Sequence, residues 1–161
     1  MISEKMQKAI NEQINAELYS EYLYLSMAAY FESENYKGFA HWMKKQAEEE
    51  REHAFKLYDF MNDRGGRVIL AAIDAPPASF KSVQEVFEKS LAHEREVTSK
   101  IHKINALAIE EKDYATTAHL QWFITEQVEE EATAEEILDQ IRMVEGKPGT
   151  LFYIDRHLGK R

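Results

Sequence analysis

The 161-residue chain is long enough for one domain with a full hydrophobic core, and its lack of cysteine excludes disulfides, thiolate zinc sites and cysteine-held iron–sulfur clusters. A net charge of −9 with no basic stripe or arm argues against a nucleic-acid partner. No apolar run reaches membrane-spanning length and Met1 to Gln13 holds no signal-peptide core, so no membrane partner is expected and the expected location is cytoplasmic.

The first predicted helix covers about residues 4–32 behind Ser3 as N-cap, and its core face reads Ile10, Ile14, Glu17, Glu21, Tyr24, Ala28 and Phe31. After a short turn at Ser33-Glu34-Asn35, a second helix spans about 36–64 and stops at Gly65-Gly66. Its stripe is Phe39, Met43, Gln46, Glu50, His53, Leu57 and Phe60, alternating steps of four and three that keep all of them on one face. The next segment, about 17 residues, is far longer than a tight turn and could reach about 55 Å when extended. Its content, Val68 to Ile73, is apolar enough to lie along the bundle as a packed strap.

A third helix, about 82–112, begins at Ser82, which forms a capping-box pattern with Glu85. Its face is Val83, Phe87, Ser90, Glu94, Val97, Ile101, Ile104 and Ala108. Asp113 caps a fourth helix, about 114–145, with the face Leu120, Phe123, Gln127, Glu130, Ala134, Ile137, Ile141 and Val144. A short amphipathic helix at about 150–157 follows Gly146-Lys147-Pro148-Gly149. The tight first and last connections make antiparallel hairpins, and the long one crosses the bundle. Residues 1–161 are therefore read as a single all-α domain: a four-helix bundle with one long crossover and a short fifth helix.

Each apolar stripe is interrupted near its middle by a metal-ligand type. A carboxylate on a core face costs several kcal/mol unless it is neutralised, paired or metal-bound. Helices of similar length lying side by side bring their midpoints to one height, so Glu17, Glu50, His53, Glu94, Gln127 and Glu130 should meet in a central layer. Oxygen-rich ligands with one imidazole suit iron or manganese, and zinc is also compatible. Glu50 bridging two metals, with Glu17 and His53 on one and Glu94 and Glu130 on the other, is the economical arrangement. Gln127 is either a weak ligand or a hydrogen-bonding neighbour. Tyr24, two turns beyond Glu17, is placed to bond a ligand such as Glu94 or to supply an electron. Glu49, Glu126 and Glu129 sit beside core ligands and suit an accessory cation site, whereas Glu48, Glu52 and Glu131 read as solvent-facing. His41, His93, His102, His119 and His157 lack ligand spacing. Trp42 and Trp122 read as packing groups.

The segments Asn15 to Ser20, Ala47 to Ala54, His93-Glu94, Leu120 to Phe123, Glu126 to Glu131 and Leu151 to Asp155 together make the chain resemble the bacterial non-haem ferritins over essentially its whole length. The resemblance implies a ferritin-like fold and a ferroxidase centre in which Glu17, Glu50 and His53 hold one iron and Glu50, Glu94 and Glu130 the other, with Gln127 adjacent. It also implies a third iron position from Glu49, Glu126, Glu129 and Glu130, and a hydrogen-bonding role for Tyr24. Ferritins of this kind form 24-subunit homo-oligomeric shells, oxidise Fe(II) with dioxygen or hydrogen peroxide, and store it as ferric oxyhydroxide mineral.

Departures separate neighbouring families. The second Glu-xx-His of bacterioferritins and rubrerythrins is absent, since the fourth helix reads Gln127-Val128-Glu129-Glu130. Arg51 stands where a haem-binding bacterioferritin would show methionine, so no haem is expected. The miniature DNA-protecting ferritins lack the fifth helix. Two further readings compete: a noncatalytic cage that buffers divalent ions, and a rubrerythrin-like peroxidase. Apolar residues beyond the core face, including Leu18, Tyr19, Tyr22, Leu23, Leu25, Met27 and Tyr30, suggest assembly.

Overall fold

The computed structural model describes residues 1–161 as five helices and no strand: α1 Glu4–Ser33, α2 Lys37–Asp63, α3 Val83–Glu110, α4 Tyr114–Met143 and α5 Pro148–Leu158. The caps are local chemistry. Ser3, Ser82 and Asp113 accept the backbone N–H groups of Met6, Glu85 and Thr116, satisfying donors that the first helical turn leaves unpaired. Glu85 completes its box one residue earlier than the pattern suggests, accepting from the Lys81 N–H at 2.5 Å.

The two hairpins are tight because one residue ends a helix and caps the next. Asn35 and Lys112 take left-handed conformations, with φ of 62° and 56°. Tyr36 and Asp113 then donate back to Phe31 and Ala108 at 2.9 and 2.8 Å, closing Schellman turns. Tyr36 and Asp113 are also the N-caps of α2 and α4. No helix is long and apolar enough to cross a membrane.

Residues 65–81 form the crossover, which runs alongside α1 in the same direction. Asn11 donates to the Arg67 carbonyl at 3.0 Å and accepts from the Ile69 N–H at 2.8 Å; Asn15 donates to Ala72 at 3.1 Å, and Ser26 to Pro77 at 2.5 Å. The expected apolar packing of this strap is corrected here. Ile69, Leu70 and Ile73 remain exposed, and it is the irregular backbone, which must find hydrogen-bond partners, that α1's amides hold in place.

The crossover makes α2 and α3 parallel, so the C-terminal half of α1 shares one apolar core with the N-terminal halves of α2 and α3 and the C-terminal half of α4. Phe31, Phe39, Phe87 and Ile141 centre that core, and Leu151, Ile154 and Leu158 of α5 cover it. A second core at the other end gathers Met6, Ile10, Leu57, Ile101 and Leu120. Buried polar residues lie between the two.

Candidate metal centre

That polar layer contains Glu17, Glu50, His53, Glu94, Gln127 and Glu130, all buried, with Glu50 only 1% exposed. The stepping that carries each stripe through the core also carries these side chains inward. One expected position is corrected. Glu21 is only partly buried, because the inner face of α1 steps by three from Glu17 to Ser20 and then by four to Tyr24.

Glu17, Glu50 and His53 each offer a ligand atom within 4.8 Å of the others, and His53, Glu126 and Glu130 do the same. His53 is the shared member. Its Nδ1 lies 3.5 Å from Glu50 Oε2 and its Nε2 4.0 Å from Glu126 Oε1. Trp122 and Phe123 meet the imidazole edge-on, at centroid separations of 5.3 and 6.1 Å, which fixes its tilt.

Glu50 is the hub. Burial pushes its carboxyl well above the ordinary carboxylate range, and repulsion from Glu94, Glu17 and Glu130, one carboxylate from each of the other long helices, adds to this. As ionised groups, both of its oxygens and Glu17 Oε2 are buried with no hydrogen-bond donor to satisfy them. Such orphans are rare and costly in a native interior. A divalent cation would compensate all of them at once, so the donor set fits metal.

The other ligand types are held by polar neighbours. Tyr24 donates a short hydrogen bond to Glu94 Oε1, and its hydroxyl also meets Ser90 Oγ at 3.1 Å. Burial and the adjacent Glu94 and Glu50 charges raise the Tyr24 phenol well above its usual value, so it stays protonated and donates. Gln127 Nε2 lies 3.2 Å from Glu94 Oε2, the Glu94 carbonyl and Thr98 Oγ1, which places the amide as a neighbour of Glu94. Burial raises Glu94 to about 7, against the hydrogen bonds from Tyr24 and Gln127 that favour its charge. Glu130 is pushed up to about 8 by burial and by Glu94, although Gln46 donates to its Oε2 at 2.5 Å.

Gln13 and Gln46 are supports that the stripe reading did not single out: Gln13 Nε2 donates to Glu17 Oε1 at 2.8 Å. The signal was present. Gln13, Gln46 and Ser90 each lie four residues before Glu17, Glu50 and Glu94, one turn N-terminal on the same face, where side chains of a helix lean. Among the proposed accessory residues, Glu126 is half-buried beside His53, whereas Glu49, half-exposed, and Glu129, exposed, both lie outside the two ligand groups. His93 is largely buried, with Nε2 2.7 Å from Ser20 Oγ, and its loss of solvation lowers it to about 4, so it is neutral.

The ferritin-like domain family matches residues 7–144. A bacterial non-haem ferritin of Bacteroides fragilis is 50% identical over 161 residues, covering all of both chains. One from Staphylococcus epidermidis is 44% identical over all of this chain and 97% of its own. Among solved structures, an open-pore ferritin from the hyperthermophilic archaeon Archaeoglobus fulgidus superposes with a TM-score of 0.99 at 48% identity, covering 100% of this chain and 99% of that one. An engineered closed form of that ferritin gives 0.98 at the same identity, over 100% of this chain and 98% of that one. Matched by its family along most of its length and by full-length relatives of up to half-identical sequence, the chain belongs to the ferritin family.

Proposed function

We propose that this ferritin stores iron and that its central layer is the ferroxidase centre. Glu17, Glu50 and His53 would receive one ferrous ion and Glu50, Glu94 and Glu130 the other, with Gln127 orienting Glu94. Glu49, Glu126, Glu129 and Glu130 would take a third ion on its way out. The observation that carries this reading is the trio of orphaned oxygens on Glu17 and Glu50, set against the imidazole of His53.

The side chains divide the work. Glu50 and Glu130 release any protons they hold as cations arrive, since cation charge replaces proton charge on the same oxygens. Tyr24 holds one Glu94 oxygen and Gln127 the other, which fixes the carboxylate's orientation toward the metal position. Apolar packing above and below keeps bulk water from the oxidised ions. Each ferrous ion gives up one electron to dioxygen or hydrogen peroxide, and the ferric product passes to mineral. Storage on that scale calls for an enclosed volume, and the exposed Tyr22, Leu25, Phe55, Ile69 and Leu70 would supply contacts for a homo-oligomeric shell of 24 subunits in the cytoplasm.

Aerobic addition of Fe(II) to metal-free protein tests the reading. A fast absorbance change at two ions per subunit is expected in the native protein, and it should be slowed at least about 100-fold in Glu50→Ala and His53→Ala. Equal rates in the native and substituted proteins would reject the site.

A further inference from the structure

Beyond the end of α5, Arg161 turns back onto α2. Its guanidinium divides between two acceptors, with one nitrogen 2.5 Å from Glu49 Oε2 and the other 2.9 Å from Gln46 Oε1. The same group lies over the Trp42 ring at 4.8 Å, and the Arg161 carbonyl meets His41 Nε2 at 2.9 Å. An ordinary surface ion pair contributes little because both partners stay solvated and free to move. Arg161 differs: its side chain is 28% exposed, and a stack, a fork of two hydrogen bonds and a backbone anchor all fix it along one helix.

The position bears on the metal centre. Gln46 is engaged at both ends, accepting from Arg161 through its oxygen and donating through its nitrogen to Glu130 Oε2. Glu49 sits on the same guanidinium as Gln46, one hydrogen bond from Glu130. Arg161 therefore places a positive charge at the rim of the acidic group beside the buried layer, on a carboxylate oxygen of Glu49.

We propose that Arg161 is a built-in competitor for the third metal position: it holds Glu49 until an ion displaces it, and so weakens retention of product there. This rests on the reading of Glu49 as an accessory ligand given above. A guanidinium cannot lose its proton, so the competition persists across the physiological pH range and depends only on displacement. The ion held by Glu17, Glu50 and His53 is out of its reach, because none of those ligands contacts Arg161, whereas Glu130, a ligand of the second ion, is linked to it through Gln46.

Calorimetric titration of Zn(II), which has no redox chemistry, into the assembled metal-free protein tests this. In Arg161→Gln the third ion should bind about tenfold more tightly than in the native protein, the equivalent of one charge-assisted hydrogen bond removed. The ion held by Glu17, Glu50 and His53 should keep its affinity. Arg161→Lys keeps the charge but loses the fork and the stack, and should fall between the native protein and Arg161→Gln. In a Glu49→Gln background, the gain from Arg161→Gln should vanish. An unchanged or weakened third affinity in Arg161→Gln, or a gain that survives Glu49→Gln, overturns the proposal while leaving the two-ion centre standing. Native protein that binds no pair of ions would overturn the ferroxidase reading itself, and this inference with it.

Discussion

Gly38 and Asp155 touch backbone to backbone: a methyl group on Gly38 would lie 1.6 Å from the Asp155 carbonyl oxygen. The same aspartate accepts the Phe39 N–H through Oδ1 at 2.9 Å. Tyr36 has no side-chain oxygen aimed at the first turn of α2, so Asp155 of α5 caps that helix from 116 positions away. Its negative charge also faces the positive end of the α2 dipole. Glycine is needed at 38 for proximity, and its backbone freedom plays no part.

This contact locks α5 to the bundle. Asp155→Ala removes a helix cap and should cost about 1–2 kcal/mol, which lowers the melting temperature by a few degrees in a chain of this size. Gly38→Ala should cost more, since α5 has to move as a body. Limited proteolysis checks the mechanism: cleavage after 147 should accelerate in both variants while α1 to α4 stay protected.

The metal-free protein should lose stability as pH rises. Burial raises Glu94 to about 7 and Glu130 to about 8 in the folded state, against an ordinary value of 4.5 in the unfolded chain. Between those limits the folded protein binds more protons than the unfolded one. The stabilisation is fully present below about 4.5 and disappears as pH passes through 7 and 8. Thermal unfolding of metal-free protein should therefore show a decline from pH 5 to pH 8, on the order of 1–3 kcal/mol. Saturating Zn(II) should flatten it by taking the place of the protons, and Glu130→Gln should remove part of it. A rise over that window would contradict the protonated state of the layer.

Much of this arrangement was legible in the sequence, because the ligand types interrupt strictly periodic stripes at matching heights. The period also exposed the hairpins and the long crossover. What escaped it has physical reasons. Glu21 and Ser20 compete for one inward position on α1, and a rule alternating four and three does not say which step comes first. Gln13 and Gln46 look like ordinary polar residues until the carboxylates they serve are in place. The strap's dependence on Asn11, Asn15 and Ser26 follows from backbone hydrogen bonding, on which apolar periodicity is silent. The Gly38–Asp155 and Glu49–Arg161 contacts join distant segments, and no local pattern records them.

Tyr24 offers a separable test of the proposed chemistry. Its phenol is buried, protonated and bonded to Glu94, so Tyr24→Phe leaves the packing nearly intact and removes one hydrogen bond. Loss of a hydrogen bond that orients a ligand typically costs about 10-fold or more in metal affinity or activity. Oxidation of the second ferrous ion should slow by about that factor while the helical content and first-ion affinity are unchanged. Stopped-flow absorbance at one and two ions per subunit separates these effects, and equal rates at both would remove Tyr24 from the mechanism.

Glu50 offers the sharpest contrast between stability and function. Its unpartnered oxygens, surrounded by Glu17, Glu94 and Glu130, make it a liability in the absence of metal. Glu50→Gln keeps the shape, removes the acid and adds an amide that can donate to those neighbours. The metal-free variant should therefore melt at least about 2 °C higher than the native protein, which corresponds to roughly 1 kcal/mol in a chain of this length. Iron oxidation should nevertheless collapse, because an amide cannot bridge two cations as a carboxylate does. Residues retained against their own stability mark sites selected for chemistry. If Glu50→Gln instead destabilised the metal-free fold, Glu50 would be a structural hub whose neighbours already satisfy it, and the need for metal would disappear.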